Sequence, residues 1–192
     1  LIYRLDRFIW ELAVQQLAKW QKEGRDELYI SVNISTKDFQ YMDVYQTITS
    51  LVERYGIIPS TLKLEITETA IMMGNAGELE TIGRFRNYGF EVEIDDFGSG
   101  YSSLNTLKDI DVDVLKIDMG FLRTTRSERL ERSMSILNMI ISLSKILGLS
   151  VVTEGVETKE QVSRLSQMGC GVYQGYYFSK PIPVHEFEER YM

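Results

Sequence analysis

Residues 91–104 read EVEIDDFGSGYSSL. Over Phe90–Ile94 apolar and charged residues alternate in a β-branched setting, which is the pattern of a strand. The strand ends on two adjacent carboxylates, Asp95 and Asp96, followed at once by Phe97-Gly98-Ser99-Gly100. Neighbouring strand residues point to opposite faces, so two acids in a row seldom serve one structural purpose. Held in one pocket they would repel by roughly 4 kcal/mol at about 4 Å and an effective dielectric near 20. A divalent cation would offset that repulsion. A solvated strand end with a glycine turn would give the same letters, and the surrounding chain decides between the two.

Outward from this stretch, strands and helices alternate. Apolar residues from Leu5 to Trp20 recur at helical spacing up to Gly24, and Leu28–Ile34 reads as a strand. A helix is expected over Met42–Tyr55, a strand over Leu62–Ile66 and a helix over Ala76–Tyr88. Beyond the glycine loop come a short helix near Ser102–Leu107, a strand over Val112–Ile117 and a long helix over Ser127–Leu147. A strand at Leu149–Thr153, a helix at Lys159–Met168, a short strand at Val172–Gln174 and a terminal acidic helix complete the pattern.

Such alternation argues for a parallel α/β sheet. Six successive strands carry polar residues near their carboxyl ends: Asn33, Glu65, Asp95 with Asp96, Lys116 with Asp118, Glu154, and Gln174. A β/α barrel gathers those ends on one face, whereas an open sheet uses only its switch point. The expected fold is therefore a barrel. Eight strands and about 250 residues are usual for it, so two strands are expected before Leu1 and the chain reads as a piece of a longer polypeptide.

At 192 residues the chain is one domain, with enough length to bury about 70% of its extended surface. It is 44% hydrophobic and 26% charged, the balance of an ordinary globular protein. A net charge of −7 with no basic run argues against DNA or RNA as a partner. Cys170 is the only cysteine, which fits a reducing compartment and a cytoplasmic location. No apolar run is long enough to span a bilayer.

Asn33, Glu65, Asp95, Asp96 and Glu154 offer hard oxygen ligands, and the single histidine, His185, lies far along the chain. That set suits Mg2+ or Mn2+ and disfavours zinc, copper or iron. Five ligands exceed what one magnesium ion takes, whereas two ions about 3.5–4 Å apart would use them all, the arrangement suited to phosphodiester hydrolysis. Lys116 is placed to orient a water or neutralise developing charge. An ion pair with Asp96 or Asp118 is the other reading of it.

The motif EIDDFGSGYSSL, with SVNIS (31–35), LEITE (64–68), LKID (115–118), VVTEGVET (151–158) and QGYYFSKP (174–181), resembles the EAL-domain cyclic-di-GMP phosphodiesterases. The motifs appear in that family's order along the whole chain. The resemblance implies a TIM-like barrel with one antiparallel strand, and hydrolysis of cyclic di-GMP to linear pGpG with two Mg2+ or Mn2+ ions. It implies Asn33, Glu65 and Asp95 as ligands of one metal and Asp95, Asp96 and Glu154 as ligands of the second. Lys116 and Glu154 are the candidate catalytic residues, and the resemblance implies that Gln174 and Glu157 line the water and substrate site. Glu68 is similar to the residue that anchors the loop Phe97–Ser103. A homodimer through the Phe121 loop and the helix start after Ser127 is a further implication. A catalytically silent module that binds cyclic di-GMP or a protein partner is the alternative, but such relatives usually lose acidic ligands that survive here.

One departure concerns the front of the domain. The Glu-Ala-Leu strand that names the family is absent from residues 1–192, and Leu1–Asp6 resembles the segment that follows it. Residues 1–192 therefore read as an N-terminally incomplete phosphodiesterase domain, expected to be inactive alone and active in the complete domain.

Overall fold

The computed structural model describes residues 2–98, 110–118, 120 and 127–192. Expectations for the short helix at 102–107, the rest of the loop from 99 and the Phe121 loop lie outside those residues. The elements are α1 (Ile2–Lys22), β1 (Ile30–Ile34), α2 (Thr36–Tyr41), α3 (Val44–Tyr55) and β2 (Leu62–Thr67). They continue with α4 (Glu68–Met73), α5 (Ala76–Tyr88), β3 (Val92–Phe97), β4 (Val114–Asp118) and α6 (Ser127–Leu147). The last are β5 (Ser150–Glu154), α7 (Lys159–Gln167), β6 (Val172–Tyr173) and α8 (Val184–Tyr191).

Local chemistry sets these boundaries. The helix expected over Met42–Tyr55 is found as α3, and a short unexpected helix, α2, precedes it. Asp43 caps α3 by accepting from Gln46 N at 2.9 Å, while Asp38 on α2 accepts from Ser35 N at 2.8 Å. An aspartate at an N-cap starts a helix afresh by satisfying its first free amides. The same device creates α4, which the sequence reading left out, because Thr67 Oγ1 accepts from Ala70 N. Asn75 and Glu78 form a capping box that opens α5, and the expected bounds of α5 and α6 agree with those found.

Among the described residues the sheet has six strands in the order β1-β2-β3-β4-β5-β6, every neighbouring pair parallel. No antiparallel pairing occurs among them, so the antiparallel strand implied by the resemblance is not one of these six. Sequential order without reversal is the wall of a β/α barrel and not a doubly wound sheet. Alternate strand residues divide between two faces. Val32, Ile34, Leu64, Ile66, Val92, Ile94, Leu115 and Ile117 are buried in a core with Trp10, Leu17, Ile48, Phe85, Leu137 and Ile141 from the helices. The other face carries Asn33, Glu65, Glu93, Asp95, Lys116 and Glu154, and there the site lies. No helix among the described residues is long and apolar enough to cross a membrane.

Candidate metal centre

Strand β3 resolves the problem posed by two adjacent acids. Ile94 pairs with Leu115 and Phe97 with Ile117, so β3 spends three steps where β4 spends two. This is a β-bulge, a device that re-aims a side chain at the end of a strand. Asp96 adopts φ +54°, the left-handed region that aspartate tolerates better than most residues. As a result one carboxylate oxygen from each of Asp95, Asp96 and Glu154 lies within 4.8 Å of the others.

Lys116 sits at the centre of the acids. Its Nζ donates to Glu65 Oε1 at 2.6 Å and lies 2.8 Å from Glu154 Oε1 and 3.2 Å from Asp95 Oδ1. The partners thus differ from the Asp96 or Asp118 pairing that the sequence left open. Burial on its own would lower the Lys116 pKa, but the contacts to Glu154 and Glu65 outweigh it and hold the ammonium above the usual lysine range. Burial pushes the Glu154 carboxyl up, against the pull of Lys116. Burial, then the charges of Asp95 and Asp118, push Asp96 up as well. The acids are crowded, and one ammonium does not balance them.

Asp95 Oδ1 tests whether a cation fits. It is buried and has no hydrogen-bond partner among the described residues, since Lys116 lies within ion-pair distance but out of alignment. An orphaned carboxylate oxygen beside two further acids, with all-oxygen donors, fits a hard divalent cation.

Asn33 lies in register with Glu65 on the neighbouring strand and is exposed, its main-chain oxygen accepting from Trp10 Nε1. Gln174 and Glu157 are exposed at the same rim. The backbone of Gln174 bonds to Thr153 and Val156, and the amide of Glu157 donates to Gln161 Oε1. Neither side chain joins the Lys116 cluster. Next to Gln174, a Cβ on Gly175 would come within 2.2 Å of Val156 O, so this close crossing of backbones requires glycine. Glu68, buried at the start of α4, accepts from Gly98 N at 3.0 Å through Oε2.

The sequence reading missed Glu93. It is buried one step below Asp95 on the same face, 3.4 Å from Lys63 and bonded to Ser31 Oγ at 3.2 Å. Its pKa is pushed up by burial and, less strongly, by Glu65, with Lys63 opposing. The alternation Glu91, Glu93, Asp95 was the available signal. A cavity of about 650 Å³ at the opposite, amino-terminal mouth includes Arg86, Asp113 and Ser150. Its guanidinium is already paired with Asp113 at 2.8 Å, so that cavity holds no comparable chemistry.

Comparison with known proteins agrees with this geometry. The cyclic di-GMP phosphodiesterase RocR of Pseudomonas aeruginosa is 32% identical over 185 residues, covering 95% of this chain and 47% of the relative. This chain therefore spans about half the length of that relative, and about a quarter of several others. The structure described as the PaMucR phosphodiesterase in complex with c-di-GMP superposes with a TM-score of 0.89 at 31% identity, covering 97% of this chain and 74% of that one. The EAL domain of Mycobacterium smegmatis DcpA superposes with a TM-score of 0.86 at 30% identity, covering 96% and 82%. These neighbours are TIM-like barrels, as the strand order here requires. The EAL domain model itself matches residues 1–181, and with fold and motif order in agreement the chain belongs to the EAL domain family.

Proposed function

We propose that this domain, within the protein that carries it, hydrolyses cyclic di-GMP to linear pGpG. The observation that supports this most is the gathering of Asp95, Asp96 and Glu154 beside a buried Lys116 in a member of the EAL family. In this reading Asn33, Glu65 and Asp95 hold one Mg2+ or Mn2+ ion, and Asp95, Asp96 and Glu154 hold the second. Such ions, when bound, stabilise charge on the phosphoryl oxygens and acidify water.

The charge states of the protein groups divide the remaining work. Lys116 stays an ammonium, so it donates hydrogen bonds and cannot take a proton from the attacking water. Its part is to orient that water and to face the charge that develops in line. Glu154, the other candidate catalytic residue, lies 2.8 Å from that ammonium, and the proton of the attacking water leaves to solvent. The oxygen of water bonds to phosphorus as the bond to the 3′ oxygen breaks. The freed ribose oxygen takes a proton from solvent, and the ring opens to a dinucleotide with a 5′ phosphate. Gln174 and Glu157 line the mouth through which substrate enters. A cytoplasmic setting suits this substrate. The domain pairs with a second copy through a face that includes the start of α6, the helix on which Ile136 and Met139 are exposed.

The test is turnover of cyclic di-GMP, followed by chromatography, in the full-length protein that carries this domain. Mg2+ or Mn2+ should support it and the larger Ca2+ should not. Asp95→Asn should lower it by more than about a hundredfold, since even outer partners of metal ligands are worth about 10–100-fold. Light scattering on the same preparation should give a dimeric mass. Binding of cyclic di-GMP without turnover in any of these ions would identify a silent binding module instead.

A further inference from the structure

The carboxylates that engage Lys116 are the ones a divalent cation would need. Its Nζ lies 2.6 Å from Glu65, 2.8 Å from Glu154 and 3.2 Å from Asp95, and its side chain is only 5% exposed. Orienting one water would require a single free donor, whereas this ammonium is turned into the acids of three separate strands. We propose that Lys116 is the internal counter-ion of this carboxylate cluster and competes with divalent cations for it, so that it weakens metal binding. The inference rests on the metal-dependent reading above and adds a role that water orientation does not include.

Two physical effects act in the same direction. An oxygen that accepts from the ammonium must be released or shared before a cation takes it. A positive charge at this distance from the acids also repels a doubly charged ion, and burial reduces the screening of that repulsion. In return the cluster stays assembled: without Lys116, Glu65 and Glu154 would face each other and Asp95 across the barrel with nothing to offset their charge. Lys116 thus exchanges metal affinity for a site whose geometry is in place before metal arrives.

The experiment measures Mn2+ affinity by electron paramagnetic resonance at one fixed pH, without nucleotide. It compares the wild-type protein, Lys116→Met and Lys116→Arg. The methionine variant should bind Mn2+ about tenfold tighter or more, and the arginine variant, which keeps the charge, should stay near wild type. Thermal unfolding gives a readout independent of turnover. Lys116→Met should melt lower than wild type without Mn2+ and gain more from saturating Mn2+. Equal or weaker Mn2+ binding by Lys116→Met overturns the proposal. If that variant folds only with metal, recovery at Mn2+ concentrations below the wild-type Kd supports it, and failure to recover overturns it. Wild-type protein that binds Mn2+ and hydrolyses cyclic di-GMP, beside a methionine variant that binds no tighter, overturns this inference alone. If neither protein binds Mn2+, the inference and the functional reading both fall.

Discussion

Glu68 holds the backbone turn that follows the two adjacent acids. One of its oxygens accepts from Gly98 N, two residues past Asp96, and the other is buried with no partner among the described residues. Gly98 itself has φ +91°, so the turn after the acids is held in a conformation that the backbone does not favour for most residues. Glu68→Ala should release that turn and lower turnover by about 10–100-fold, the range for outer partners of metal ligands. Saturating Mn2+ should restore part of the loss, because no ligand has been removed. Full activity of Glu68→Ala, with unchanged hydrogen exchange at Gly98, would remove Glu68 from the positioning machinery.

At the scale of the element, the bulge in β3 makes the site. A regular strand would send Asp95 and Asp96 to opposite faces, whereas the bulge and φ +54° at Asp96 bring both beside Glu154. Backbone and charge can be separated by substitution. Asp96→Asn keeps a residue that tolerates the left-handed region and removes a carboxylate whose pKa is raised by burial and by Asp95 and Asp118. It should retain or gain stability in urea while binding Mn2+ more weakly. Asp96→Val places a β-branched side chain at the same φ and should lose about 1–3 kcal/mol. Equal stability of the two variants would mean that the conformation at Asp96 carries no strain. The α6 helix makes a related point, since Met134, Leu137, Ile141 and Ser144 are buried at helical spacing while Ile136, Met139 and Ile146 stay exposed.

Across the whole molecule, the first and last helices close on one another. Glu188 of α8 accepts from Gln16 Nε2, Lys19 Nζ and Trp20 Nε1 of α1, each within 3.0 Å, and Phe187 packs on Trp20 at 5.7 Å. Arg25 adds a bond to Met192 O at 2.9 Å. The hydrogen bond from Lys19, then that from Trp20, hold the Glu188 carboxyl below the ordinary glutamate range. A carboxyl with a depressed folded pKa stabilises the fold above its unfolded value and loses that contribution as pH falls through the folded one. Glu188→Gln should therefore lower Tm at pH 7, and the difference from wild type should shrink as pH drops below about 4.3. A difference that persists unchanged at pH 2–3 would show that packing, not the charge, joins α8 to α1.

The strand-and-helix order was legible in the sequence, because burial imposes periods of 2 and 3.6 on residues close together in the chain. The acids at the strand ends were legible too, as were the bounds of α5 and α6. Caps at Ser35, Asp43 and Thr67 were also written in local letters, yet α2 and α4 are too short for periodicity to reveal them. Tertiary structure alone decided which acids meet. Lys116 reaches Glu65 across 51 residues, and the shared face of Asp95 and Asp96 depends on how β3 registers against β4. Glu93 is not singled out by local pattern and is buried only once the sheet has folded. Register and bulge geometry are settled by pairing between segments distant in sequence, so local pattern named the site's residues and non-local pairing brought them together.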